Sequence, residues 1–127
     1  MINGTVNSER EAVISLTLRG WRGRDETIAA VVDTGFDGEL TLPPSLVTAL
    51  RLPFLRRTTA SLGDGSIVIH ALHRATIVWD GAVRQIHVAA LESEPLIGME
   101  LLAGYRLAIQ VIPGGRVEIT SLATPRL

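Results

Sequence analysis

Apolar and polar positions alternate along most of this chain, and the alternation has the two-residue period of half-buried strands. In residues 11–19, Ala12, Ile14, Leu16 and Leu18 fall on one face, while Glu11, Ser15, Thr17 and Arg19 fall on the other. This predicts a strand with one wet side. The glycine- and charge-rich "GWRGRDE" follows as a turn, and then "TIAAVV" (27–32) runs on without a polar break. A continuous apolar run of that length is the pattern of a strand covered on both faces. Asp33 sits where that strand ends.

Beyond "GELTLP" the period changes. In "PPSLVTALRLP" (43–53) Leu46 and Leu50 are spaced i,i+4, with prolines before and after, which predicts a short helix. Residues 56–91 read as consecutive hairpins, with turns at Gly63-Asp64-Gly65 and at Asp80-Gly81, the second a strong two-residue turn signal. "GMELLAG" predicts a second short helix ended by Gly104, and "RLAIQVIPGGRVEITSL" predicts a closing hairpin about Pro113-Gly114-Gly115. The expected architecture is all-β, with one or two short helices, in a single domain over residues 1–127.

Composition narrows the function classes. A chain of 127 residues, 46% hydrophobic and with a formal charge of -1, is large enough for one real core. There is no cysteine, so neither disulfides nor a thiolate metal site is available, and the cytoplasm is the expected compartment. The N-terminal "MINGTVNSEREAV" lacks the pattern of an export signal, and no apolar run approaches the roughly 18 residues of a spanning helix, so no membrane anchor is expected. All 12 basic residues are arginine, scattered among 13 acidic ones, and aromatics are 4%. That balance gives nucleic-acid binding little support.

A carboxylate at the end of an apolar strand costs free energy unless something compensates it. One reading of Asp33-Thr34-Gly35 is a turn whose carboxylate accepts local N–H bonds. The other is a site: a rigid strand holding a carboxylate, a hydroxyl beside it, and a glycine that lets another backbone come close. Three segments weigh on the choice. "AVVDTGFDG" places Asp-Thr-Gly after an apolar strand, "TASLGDGSIVIHAL" is a glycine-bearing hairpin, and "EPLIGMELL" places Leu96, Ile97 and Gly98 ahead of a short helix. In order and approximate spacing, from about residue 12 to residue 120, these segments resemble the retropepsin-like aspartic proteases.

The resemblance implies a closed retropepsin-like β-barrel and a homodimer. Only one Asp-Thr-Gly occurs in the chain, and the family's chemistry uses two carboxylates, so the second Asp33 would come from a second copy across a two-fold axis. It further implies an aspartic endopeptidase acting on peptides or unfolded proteins, with no metal or other cofactor. Asp33 would carry the chemistry, Thr34 would brace it and Gly35 would let two loops approach. Leu96, Ile97 and Gly98 would support the site from behind. Leu62, Gly63, Asp64, Gly65 and Ser66 would form a flap closing over an extended substrate, with Phe36 and Asp37 also at the substrate.

The chain departs from the family pattern in places. Phe36 stands where many relatives carry a small residue, its ring either narrowing the cleft or facing the core. Met99 replaces an arginine that helps tie the retroviral dimers together. Asp37 is either a contact to substrate backbone or an exposed turn carboxylate. The second function class is therefore a barrel of this kind that serves as a peptide-binding or dimerisation module. His70 and His73 in "HALH" are three apart on a strand and point to opposite faces, which rules out joint chelation. His87 reads as a solvated strand residue, and Trp21 and Trp79 as packing residues near turns.

Overall fold

Ala12, Ile14, Leu16 and Leu18 are all buried, and the alternation they create forms one wall of a barrel. The structure, a computed structural model, describes residues 1–61 and 64–122. In chain order its strands are β1 (Ile2–Val6), β2 (Ala12–Leu18), β3 (Glu26–Val32), β4 (Leu40–Leu42), β5 (Phe54–Ser61), β6 (Ile67–Trp79), β7 (Ala82–Ala90), β8 (Leu96–Ile97), β9 (Tyr105–Ile109) and β10 (Arg116–Ser121). Two short helices, α1 (Pro44–Ala49) and α2 (Met99–Leu102), follow β4 and β8. Strand makes up 54% and helix 11% of the described residues, which puts the chain in the mostly-β class that the alternation predicts.

Neighbouring strands run in the order β5-β6-β7-β4-β8-β3-β2-β1-β10-β9, and β6 also pairs with β2. That additional pairing, Thr17 with Val78 and Leu18 with Ile77, closes a six-stranded barrel from β2, β3, β8, β4, β7 and β6. Closure removes the open edges that a sheet would otherwise expose. The β3–β8 and β4–β7 pairs are parallel and the others antiparallel. β5 extends outward along β6, while β1, β10 and β9 continue the sheet beyond β2. Leu16, Leu18, Leu40, Ile77, Val88 and Ile97 are among the fully buried side chains of the interior, each stabilising the fold by roughly 1.5–3 kcal/mol.

The turns follow their local chemistry. Asp80 (φ 52°) and Gly81 (φ 80°) join Trp79 to its partner Ala82, a two-residue connection whose left-handed geometry suits the strand twist. Pro44 opens α1, where its missing N–H is no loss. Among the described residues no helix is long and apolar enough to cross a membrane.

Two expectations are corrected, and one strand is added to those read from the pattern. The run 27–32 is not covered on both faces: only Ala30 of β3 is fully buried, and Thr27 and Ala29 are exposed, because one face alone meets the barrel interior. Residues 2–6, which carry no strand signal, pair with both β2 and β10; Gly4 lies opposite Ile14, and a Cβ there would strike the Val13 carbonyl oxygen. Trp79 is in the core, edge-on to Tyr105, but Trp21 is exposed, with the Arg22 and Arg51 guanidinium groups 5.2 and 4.9 Å from its ring centre.

Candidate functional site

The chain after β3 is fixed to the segment around β8 by a ladder of backbone bonds. Val31 N–H donates to the Pro95 carbonyl at 2.9 Å and Asp33 N–H donates to the Ile97 carbonyl at 2.8 Å. Beyond the turn, Gly98 donates to Glu39 at 3.0 Å, Met99 to Phe36 at 2.8 Å and Glu100 to Gly38 at 3.2 Å, each through the main chain. At about 0.5–1.5 kcal/mol net apiece, these bonds hold the Asp33 loop far more firmly than a free turn would be held.

Gly98 is what permits the approach. A Cβ at this position would collide with the Gly38 carbonyl oxygen and come within 2.7 Å of the Phe36 carbonyl oxygen and 2.5 Å of the Phe36 ring. Leu96 and Ile97 supply the pairing, opposite Val31 and Val32, and Ile97 is fully buried. The three residues thus lie directly behind the Asp33 loop.

Asp33 is half-buried, and its Oδ1 accepts a hydrogen bond from the Gly35 N–H at 2.9 Å. Thr34 is exposed, and its hydroxyl has no hydrogen-bond partner among the described residues. At Gly35 a Cβ would meet only the Asp33 Oδ1, at 3.2 Å, so packing within one chain does not require glycine there. Phe36 is half-buried, its ring lying over Gly38 and Gly98, and Asp37 is exposed.

Two hollows flank this loop. One, a cleft of about 470 Å³, lies between residues 35–40 and the arms of the β5–β6 hairpin, with Thr58, Ala60, His70 and Leu72 on the hairpin side. Phe36 and Asp37 line it. The other, of about 490 Å³, takes in Asp33 and Thr34 together with Val32, Leu96, Glu11 and Glu94. The carboxyl of Glu94 is held above its ordinary value of 4.5, first by the negative charge of Glu11 and then by burial.

At the hairpin tip, Leu62 and Gly63 lie outside the described residues. Asp64, Gly65 and Ser66 form a turn in which the Asp64 Oδ1 accepts from the Ser66 N–H at 2.9 Å and from the Ser66 hydroxyl at 2.6 Å. These donors hold the Asp64 carboxyl below its ordinary value of 3.8. Asp64, Gly65 and Ser66 line neither hollow; the hairpin arms line the first.

The histidines divide as their spacing predicts. His73 Nδ1 donates to the Leu52 carbonyl at 3.0 Å and its ring meets Phe54 edge-on at 5.6 Å, while His70 faces the cleft. Among the described residues no group of three side chains could hold a metal ion. His87 is exposed, at the cleft edge.

Two cleft residues escaped the sequence reading. His70 is buried with its Nδ1 unpartnered among the described residues, and Glu39 accepts from the His87 N–H at 2.9 Å while lying 3.5 Å from Arg84. Strand parity puts His70 beside Leu72, so its face was legible, but nothing local shows that this face closes over residues 35–40. Comparison with protein-family models and with curated proteins yields no match.

Proposed function

We propose that this chain is one protomer of a homodimeric, retropepsin-like aspartic endopeptidase that hydrolyses peptide bonds in extended peptides or unfolded proteins. The observation that carries the reading is the lock between Asp33 and Gly98: a single carboxylate at a strand end, bonded through its own N–H to Ile97, on a loop too close to residue 98 for any side chain there. Pre-organisation of that kind suits a group that must hold its position while charge moves.

One chain offers one such carboxylate. Several features favour a second copy opposite it: a Cβ at Gly35 would meet only the Asp33 Oδ1 of its own chain, Asp33 and Thr34 open on a hollow that Val31, Val32, Leu96, Ile109 and Val111 line alongside Arg10, Glu11 and Glu94, and Ile109, Val111 and Ile112 are exposed nearby on or just beyond the open edge strand β9. Two Asp33 carboxylates in proximity share one proton over a wide pH window. The ionised member removes a proton from water as its oxygen attacks the scissile carbonyl carbon. The protonated member donates to the carbonyl oxygen, and a proton then passes to the amine nitrogen as the C–N bond breaks. Asp64, Gly65 and Ser66 act as the outer end of a flap, and Phe36 and Asp37 meet the substrate.

The second reading, a peptide-binding or dimerisation module, is favoured by the cleft itself, which the hairpin arms enclose without Asp33. An unstructured protein substrate digested by the wild type and left intact by Asp33→Asn supports the peptidase. Equal cleavage by both, or by an obligate monomer, overturns it. Peptide binding without cleavage in either supports the module.

A further inference from the structure

Five of the twelve arginines, dispersed along the sequence, meet at the end of the barrel away from Asp33. One hollow of about 300 Å³ is lined by Trp21, Arg22, Arg24 and Arg51, and an adjoining one of about 330 Å³ by Arg19, Trp21, Arg51 and Arg74. No carboxylate lines either hollow. Of these five arginines only Arg19 has an acidic partner among the described residues, Asp25 at 3.6 Å, and that pair is exposed. For a chain whose formal charge is -1, this is a strong local excess of one sign.

The arrangement is also held in place. Arg22 (φ 56°) and Arg51 (φ 52°) both adopt the left-handed backbone conformation that non-glycine residues avoid, and both set a guanidinium group against the exposed Trp21 ring. Stacked guanidinium groups keep their N–H forks directed outward, the geometry that pairs with planar carboxylates. The same stacking occupies the ring that a nucleic-acid base would need. Two short hollows in place of a long basic track point the same way.

We propose that this surface binds an acidic segment of a partner protein, carboxylate side chains entering the Trp21–Arg51 hollows. It lies roughly 20 Å from Asp33, the length of β3. The inference does not depend on the chemistry of Asp33, and the test uses the Asp33→Asn protein so that cleavage plays no part.

A labelled short polyglutamate peptide is titrated against the full chain at low and physiological salt, beside polylysine and oligothymidylate of equal length. The expected result is binding of polyglutamate alone, weakened at least about tenfold in an Arg22→Asn/Arg24→Gln variant and weakened by salt. Asparagine is chosen at 22 because it tolerates a positive φ. Circular dichroism checks the variant's fold. Protection of tryptophan fluorescence from acrylamide locates the contact, since Trp21 is 49% exposed and Trp79 3%. Arg24→Gln alone, which leaves the Trp21 stack intact, decides the matter if the double variant does not fold, with a loss of several-fold expected. Polyglutamate binding that these substitutions leave unchanged, no polyglutamate binding at low salt, or tighter binding of oligothymidylate would each overturn the proposal.

Discussion

At the end of β3 the Asp33 Oδ1 accepts a hydrogen bond from the N–H two residues on, at 2.9 Å, and at the tip of the β5–β6 hairpin the Asp64 Oδ1 does the same at the same distance. Both are aspartate turns of the sort the side chain forms with its own backbone. Their foundations differ. The Asp33 turn is bonded on both sides to residues 95–100 and crowded by them, whereas Gly65 has nothing within 4 Å of where a Cβ would stand. A local motif therefore does not determine what its carboxylate is for; the packing behind it does. A group required to keep its place within a fraction of an ångström belongs on the first, and a segment required to move belongs on the second.

The widest separation between the two turns comes from changing charge without changing shape. Asp33→Asn keeps an oxygen to accept the Gly35 N–H, so the melting temperature should stay within a degree or two of wild type. Loss of the ionisable group should lower peptide hydrolysis by at least about 10²–10⁴-fold, the range of a general base. Asp64→Asn should leave turnover within a few-fold. Rates on a quenched peptide substrate, with a melt of each variant, read both. Comparable losses in the two would erase the proposed distinction.

Packing separates them next. Gly98→Ala forces a methyl group against two carbonyl oxygens that the ladder holds still, and should cost about 2–3 kcal/mol. Gly65→Ala introduces left-handed strain of about 1–2 kcal/mol at φ 86° but meets no atom. Part of that strain, about 0.4–1 kcal/mol, is offset by the lower entropy of the unfolded chain. Urea denaturation should rank the two in this order. A Gly98→Ala protein as stable as wild type would mean that the β8 segment can yield, and the rigid foundation of Asp33 would be gone.

How much of this was legible in the chain depends on the range of the forces involved. The period-two pattern at 12–18 and the Asp80-Gly81 turn are local, and both stand in the structure as read. The Asp-Thr-Gly and Leu96-Ile97-Gly98 segments could be singled out, but their meeting is a pairing across more than sixty positions that no local period encodes. β4 is three residues long, too short to carry a period, and is specified by its partners β7 and β8. β1 was hidden by Asn3 and Gly4, residues typical of turns. The convergence of Arg19, Arg22, Arg24, Arg51 and Arg74 is invisible for the same reason: two loops and a strand bring them together only after the barrel closes.

The smallest effect concerns pH, and there Asp64 in the tip turn and Glu94 in the hollow beside Asp33 act in opposite senses. The Asp64 carboxyl is held below 3.8, first by the Ser66 hydroxyl and then by the Ser66 N–H. A carboxylate whose folded value is depressed contributes its stabilisation fully above its unfolded value and loses it as pH falls through the folded one. The hairpin turn should thus remain formed until pH falls through the lowered Asp64 value. Beside Asp33 the sign reverses: Glu94 is raised by Glu11, so its protonated form is favoured in the folded chain, and the stability this confers is lost as pH rises through the raised value. Ser66→Ala removes the stronger donor to Asp64 and should move its titration upward toward 3.8, while turnover stays within a few-fold across the pH range, as for Asp64→Asn. Carbon-detected NMR of the Asp64 carboxyl, wild type against Ser66→Ala, measures the first, and a pH–rate profile measures the second. An Asp64 that titrates at 3.8 in both proteins would show that the tip turn is too loosely held to perturb its own carboxylate.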